Sequence, residues 1–216
     1  MTGIFMPQAL PPEFASQQDR WNHRFSAAGH LFGSEPNAWL REHTGLWAKN
    51  AHVLSVADGD GRNSVWLASQ GLQVDAFDFS EVGVAKARDF ANTRGVSVNF
   101  SVSDCDSYPW PTASLDGVAA IFIQFADPAM RSRLFARMVQ SLKPGGLLVL
   151  QGYSLGQLAF KTGGPSEPSH LYTEPLLREA FSGLDILRLE SHEAELAEGS
   201  AHSGRSALIS LLARRP

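Results

Sequence analysis

Two hydrophobic rhythms alternate along this chain. Short apolar runs bounded by glycine, aspartate or serine read as strands, and between them apolar residues recur every third or fourth position, as in amphipathic helices. Residues 52–57 form the first such strand, which ends in Asp58-Gly59-Asp60-Gly61, and a helix follows through Val65, Trp66, Leu67 and Ala68. Residues 72–79 give the second strand, after which Ser80 and Glu81 open a helix running to about Arg94, since a serine hydroxyl satisfies a free amide of a first turn. Residues 96–102 form a third strand, and 115–125 a nearly continuous apolar run, as expected of a central strand covered on both faces.

Asp127-Pro128 caps the next helix, in which Leu134, Met138 and Leu142 recur every fourth residue with Phe135 and Val139 alongside, while Arg131, Arg133 and Arg137 lie off that stripe. Lys143-Pro144-Gly145-Gly146 stops it and 147–150 is a fifth strand. A Gly/Pro/Ser loop over 161–169 precedes a short helix near 173–181, and two strands, about 184–195 and 205–213, close the chain. Their connection is too short for a crossover, so they pair antiparallel. Ahead of the first strand, 1–18 reads as a loose arm and 21–50 as an aromatic-rich helical stretch, with Pro36 in the first turn of a helix ending near Trp47. The fold class is therefore α/β: a mostly parallel sheet, helices on both faces, and one reversed strand.

Composition narrows the partners. The 216 residues suit one α/β domain, and 44% hydrophobic with 19% charged residues is ordinary globular usage. A formal net charge of −4 offers no broad basic face for nucleic acid or an anionic membrane. A small-molecule substrate is the expected partner, with monomer and weak dimer both left open. The single cysteine, Cys105, excludes an intramolecular disulfide and a cysteine-based zinc cluster and suits a cytoplasmic location. The opening residues lack a basic start and carry prolines, unlike a secretory signal. The histidines are scattered, so no metal is expected.

In an open α/β sheet, ligands bind beyond the carboxyl ends of the strands. The Gly59/Gly61 loop, Asp78 after the second strand and Asp104 after the third all fall there. Asp78 stands 19 positions beyond Gly59, near the spacing at which an acid meets a ribose diol. A pyrophosphate loop has Gly or Ala at its third small position, but here that position is Ser64, and Asp58 and Asp60 lie in the loop. Like charges about 4 Å apart repel by roughly 1 kcal/mol in water and about 4 at a protein surface. The loop is poor for a phosphate and favourable for the ammonium and sulfonium of S-adenosylmethionine.

These residues resemble the class I S-adenosylmethionine-dependent methyltransferases, and among them the tellurite-resistance and thiopurine methyltransferase-like group. The carriers of the likeness are Val53-Leu54-Ser55-Val56-Ala57-Asp58-Gly59-Asp60-Gly61-Arg62-Asn63, Val74-Asp75-Ala76-Phe77-Asp78-Phe79-Ser80, Ser103-Asp104-Cys105 and Leu142-Lys143-Pro144-Gly145-Gly146. Trp21-Asn22-His23-Arg24-Phe25 and Phe32-Gly33-Ser34-Glu35-Pro36-Asn37 resemble an arm that closes over the cofactor; Thr162-Gly163-Gly164-Pro165 and Leu171-Tyr172-Thr173 resemble a lid. The likeness spans roughly residues 20–214 and implies a seven-stranded sheet ordered 3-2-1-4-5-7-6 with strand 7 antiparallel. It divides the chain into an arm, 1–50, and a methyltransferase domain, 51–216, with a lid over 154–172. Many relatives carry an acid where Ser55 stands; here the nearest is Asp58.

The resemblance implies in-line displacement at the sulfonium methyl, the cofactor supplying the reactivity and the protein the alignment. The acceptor is a small molecule such as a chalcogen oxyanion or a thiol, and a soft or pre-ionised nucleophile needs no general base. The expected cofactor contacts are Trp21, Asp58, Gly59, Gly61, Arg62, Asn63, Asp78, Phe79, Asp104, the backbone of Cys105, and Gln124; Gln124 and Tyr172 are the candidates beside the reaction. Arg62 and Asn63 also read as helix capping and surface charge, and the Cys105 side chain as a small apolar filler. Tyr153, Lys161, His170, Tyr172, His202 and Arg205 would surround the acceptor mouth, and Arg214 and Arg215 form a solvated tail. Competing functions are a non-catalytic S-adenosylmethionine-binding regulatory module and an NAD(P)-linked dehydrogenase.

Overall fold

The computed structural model describes residues 14–160, 162–199 and 202–216. Its elements run α1 (Gln17–Ser26), α2 (Ala38–His43), β1 (His52–Val56), α3 (Arg62–Ser69), β2 (Gln73–Asp78), α4 (Glu81–Arg94), β3 (Asn99–Val102), β4 (Leu115–Ile121), α5 (Pro128–Ser141), β5 (Leu142–Tyr153), α6 (Glu174–Ala180), β6 (Asp185–Glu198) and β7 (His202–Arg214). The seven strands lie in the order β3-β2-β1-β4-β5-β7-β6, as the family resemblance implies. β1 to β5 pair in parallel and β7 runs antiparallel to both neighbours.

Period-two alternation in the inner strands feeds two cores. On one face Leu54, Val118, Ala120, Leu148 and Leu150 pack with Leu134, Phe135 and Met138 of α5 and Leu177 of α6. On the other, Val53, Ala119, Ile121, Leu147 and Val149 meet Trp39, Leu40, Trp47 and Leu67. Gly117 makes that second contact feasible: a Cβ there would lie 2.3 Å from the Trp47 indole nitrogen. The outer strand β6 presents Arg188, Glu190 and Glu193 in exposed or half-exposed positions, charges that blunt a free sheet edge.

Several boundaries differ from the sequence expectation, each for a local reason. Pro36 precedes the cap: Asn37 caps α2, accepting from the Leu40 amide at 3.2 Å, and a 3-10 turn, Thr44–Leu46, carries the chain to Trp47. The apolar run of β4 stops at Ile121 because Phe122 adopts φ +55° and turns the chain, while Ile123 and Ala126 continue inside the core. β3 begins at Asn99, past the Gly95 cap of α4. β5 takes in the Lys143–Gly146 turn as a bulge, the register to β4 jumping from Leu142 to Leu147. Ser80 and Asp127 cap α4 and α5 as read, at 3.0 and 2.8 Å. Arg215, read as a tail residue, is fixed: its amide donates to Gly146 O (2.9 Å) and its guanidinium reaches the carbonyls of Gln140 and Leu142. Arg214 is exposed.

Two features crown the carboxyl edge. The β6–β7 hairpin is paired from Asp185↔Arg214 to Glu198↔His202, whereas β5 ends opposite Leu208, so the hairpin tip overhangs the edge. The long connection from β5 to α6 folds back through 3-10 turns at Leu155–Ala159 and Pro168–His170. No described helix is long and apolar enough to cross a membrane.

Candidate functional site

The loop after β1 is held by positive-φ residues, Ala57 (+49°), Gly59 (+65°) and Gly61 (+92°). The glycines are needed there for protein packing. A Cβ on Gly59 would meet the Phe25 ring at 2.9 Å, and one on Gly61 would meet Ala87 of α4 at 2.8 Å. Three acids converge on this turn. Asp58 turns inward, accepting from Ser55 Oγ at 2.7 Å, from the Ser64 amide at 3.2 Å and from Ser64 Oγ. A carboxylate thus lies against Ser55. Asp78 accepts from the Gly59 and Ser80 amides at 2.9 and 2.8 Å. Asp60, 1% exposed, accepts from the Leu31 amide at 3.0 Å and lies 3.3 Å from His30 Nδ1. Its other oxygen is buried with no partner among the described residues.

Burial pushes the Asp78 carboxyl up to about 6 against the pull of its two amide donors, and burial also raises Asp58 despite its serine bonds. Each acid disfavours ionisation of the next. A nearby positive charge would favour the ionised form of such buried carboxyls.

Asp104 lies two residues past Val102, the register partner of Asp78, so both acids sit at adjacent strand tips. Its exposed carboxylate closes its own turn on the amides of Asp106 and Ser107, both at 2.8 Å, and those donors hold it below the usual carboxylate range. Burial pushes the Cys105 thiol up to about 12, and its carbonyl accepts from Trp110 Nε1 at 2.9 Å. Phe79 is half-buried beside this tip, its carbonyl bound by Gln18 Nε2 at 2.7 Å.

α1 lies across the loop. Ser80 Oγ donates to Asn22 Oδ1 at 2.6 Å, and Lys86 of α4 donates to the carbonyls of Phe25 (2.9 Å), Ala27 (2.8 Å) and Gly29 beyond the helix end. Trp21 stacks on Phe25 at 5.6 Å, with the Arg24 guanidinium 4.4 Å over its indole. Arg24 is half-buried and has no carboxylate partner among the described residues.

On the β4–β5 side, Gln124 spends its amide on backbone. It donates to the Tyr153 and His170 carbonyls at 2.9 and 3.1 Å and accepts from the Tyr153 amide at 2.5 Å, and His170 Nδ1 lies 2.9 Å from the Gln124 carbonyl. Gln124 is a clasp for the folded-back connection. Arg131 shares that work by donating to Ser169 O at 2.7 Å, which explains why a residue off the apolar stripe is buried. Tyr172 is wholly buried beneath it, and burial drives its phenol well above the ordinary range. Arg205 faces outward, paired with Glu193 at 2.6 Å. Lys161 lies outside the described residues.

Of the expected mouth residues, the structure brings together Tyr153 and His202, their rings 5.7 Å apart, with Phe122 at 4.4 Å and Phe32 at 4.5 Å from the imidazole. Sequence reasoning missed Glu198, Asn37 and Phe122. Glu198 receives Arg62 Nη2 at 2.8 Å and Asn37 Nδ2 at 2.9 Å, and Arg62 also donates to Phe32 O at 3.2 Å. Asn63 Oδ1 accepts from the Asn37 amide at 3.0 Å, and Asn37 Nδ2 also reaches Gln151 Oε1 at 2.7 Å. Arg62 and Asn63, which could have been surface residues, are buried links between loop, arm and hairpin. A cleft of about 250 Å³ between 32–36 and 195–198 leads toward Glu198.

Residues 53–146 match the methyltransferase domain family model. The demethylmenaquinone methyltransferase of Renibacterium salmoninarum is 33% identical over 126 residues, 58% of this chain and 48% of the relative. A tRNA N(3)-cytidine methyltransferase of Danio rerio is 29% identical over 207 residues, 83% of this chain and 58% of the relative. The chain spans between 30% and 61% of the length of such relatives. Two solved structures share the fold: a S-adenosylmethionine-dependent methyltransferase of Methanosarcina mazei (TM-score 0.68, 18% identity, 84% of this chain and 98% of that one) and TehB of Haemophilus influenzae (0.69, 15%, 92% and 67%). Over 53–146 the chain is similar to the methyltransferase domain family, and its sheet order is that of the fold it shares with these two structures.

Proposed function

We propose that the chain transfers a methyl group from S-adenosylmethionine to a small-molecule acceptor held between the folded-back 154–172 segment, the hairpin tip and the arm. The observation that carries this reading is the convergence at one sheet edge of Asp58, Asp60 and Asp78 with the aromatic, charge-paired cluster of Phe32, Phe122, Tyr153, His202 and Glu198. Asp58, Asp60 and Asp78 supply the negative field for a cationic cofactor, with Asp78 placed for the ribose hydroxyls, Phe79 for the adenine face and Asp104 at its amino edge. Arg24, beside Trp21, suits the methionine carboxylate. When bound, the sulfonium supplies an activated methyl carbon and leaves with the electron pair of the broken bond. The protein's part is to orient and to exclude water.

A chalcogen oxyanion or a thiol is the acceptor class that the arm and lid motifs favour. The net charge of −4 weighs against a polynucleotide acceptor. Titration calorimetry with S-adenosylmethionine and S-adenosylhomocysteine, followed by an acceptor screen with mass detection of product, tests the reading. Micromolar or tighter binding plus turnover of a tellurite, selenite, thiol or phenol acceptor is expected. No saturable heat would defeat the cofactor seat; binding without turnover across the panel would favour the regulatory module instead.

A further inference from the structure

We propose that His202, held by Glu198, accepts the acceptor's proton, so that the acceptor is a protic nucleophile, a thiol or hydroxyl compound, and not a pre-ionised anion. The inference rests on the methyl-transfer reading above and narrows its substrate class.

The geometry is that of a fixed acid behind an imidazole. Glu198 Oε2 lies 3.6 Å from His202 Nδ1, beyond hydrogen-bond length and within ion-pair reach, one helical-looking step of four residues apart but across a hairpin turn. The carboxylate cannot swing away, since Arg62 and Asn37 hold it at 2.8 and 2.9 Å. Burial works against its charge, yet the contacts with His202 and Arg62 win and pull its carboxyl down to about 2. It is therefore an anion whenever the protein is folded at ordinary pH. Among the described residues His202 Nδ1 is buried without a hydrogen-bond partner and Nε2 makes no hydrogen bond, and the rings of Phe32, Phe122 and Tyr153 stand around the imidazole. The Tyr153 hydroxyl is likewise buried and unpartnered among the described residues. An aromatic box with an orphan phenol and a free imidazole nitrogen suits a small ring or chain bearing one ionisable X–H.

The groups facing His202 from each packed element are Glu198 of β6, Arg62 of α3, Arg24 of α1 and Tyr153 of β5. Burial holds the imidazole below the usual histidine value, Glu198 opposes that shift, and Arg62 and Arg24 add to it. The ring is thus neutral near pH 7 and ready to accept. In the step, the X–H bond breaks, its electron pair stays on X to form the new bond to carbon, and the proton passes to Nε2. The resulting imidazolium then closes the gap to Glu198 and later releases its proton to water.

The test uses the whole chain with S-adenosylmethionine and two acceptor panels: thiols and phenols, against tellurite and selenite. A general base contributes about 10²–10⁴-fold, so H202Q is expected to lower kcat roughly 100-fold with a protic acceptor while cofactor Kd by calorimetry stays within about threefold. Free imidazole should restore part of the loss in H202G. Histidine-resolved NMR provides a readout independent of turnover: E198Q should move the His202 titration to lower pH. Should H202Q unfold, the H202G rescue and the NMR titration carry the decision. Turnover of protic acceptors by H202Q within threefold of the native chain, methylation of pre-ionised anions alone, or a His202 titration indifferent to E198Q would overturn the proposal. If the native chain binds no cofactor or methylates nothing, the parent reading fails first, and this one with it.

Discussion

The two ends of the carboxyl edge are built on opposite electrostatic plans. At the β1–β2–β3 tips, Asp58, Asp60 and Asp78 crowd together, Asp60 beside the His30 imidazole, and burial resists the ionisation of Asp58 and Asp78. At the β4–β5–β7 tips, Arg62, Glu198, Asn37 and His202 satisfy most of one another's charge inside an aromatic shell. The first is the unfinished end, its carboxylates of Asp58 and Asp78 held by neutral amide and hydroxyl donors; the second is the finished end, its carboxylate held by a guanidinium.

Breaking the finished end should have the largest effect. Arg62→Ala leaves the Glu198 carboxylate buried without its guanidinium partner, and losses of this kind run to about 3–5 kcal/mol, so a large fall in Tm is expected by calorimetric scanning. The double variant Arg62→Met with Glu198→Met should recover much of it, because it removes both charges together. If the single and double variants were equally unstable, the chamber would not be held by this pair.

The unfinished end should respond through ligand affinity instead. Asp78→Asn removes a charge facing the ligand, and a hydrogen bond to a charged group is worth about 1.5–3 kcal/mol, so cofactor binding should weaken by roughly 10- to 100-fold in calorimetry. Acidity should imitate the substitution. The folded-state Asp78 value, about 6, lies above its ordinary 3.8, so the ligand-free protein gains stability from this group as pH falls through 6 and loses it as pH rises. Cofactor binding runs the other way, strengthening as the pH climbs through that range. The thermal shift given by S-adenosylmethionine should accordingly be larger at pH 7.5 than at pH 5.5; a reversed order would refute the acidic seat.

A smaller change is expected at the arm. Lys86→Met removes the donor to the Phe25, Ala27 and Gly29 carbonyls, and it should expose the chain near 27–33 to proteolysis and weaken cofactor affinity a few-fold. The smallest signal belongs to Cys105, whose buried thiol, raised to about 12, should be alkylated at pH 8 at least about 100-fold more slowly than a free cysteine.

The same division governs what the sequence could disclose. The acidic end is local: the glycine turn, Asp78 and Asp104 lie at successive strand tips, each identified by neighbours a few residues away. Caps such as Ser80 and Asp127 are equally local and came out where they were read. The chamber is assembled from afar. Asn37 and Glu198 are 161 positions apart and Arg62 and Glu198 are 136 apart, so no window of sequence pairs them. Gln124 misleads for a related reason: a polar residue at a strand end looks ligand-facing until the returning backbone of Tyr153 and His170 claims its amide. Phe122 stayed hidden because its positive φ interrupts an apolar run that the pattern alone would continue.

Arg62 immediately follows Gly61 in the chain, yet its guanidinium grips the arm carbonyl of Phe32 and the hairpin carboxylate of Glu198. One side chain thus ties the turn after β1 to both the arm and the hairpin, so that any movement of the turn would pull on the carboxylate beside His202.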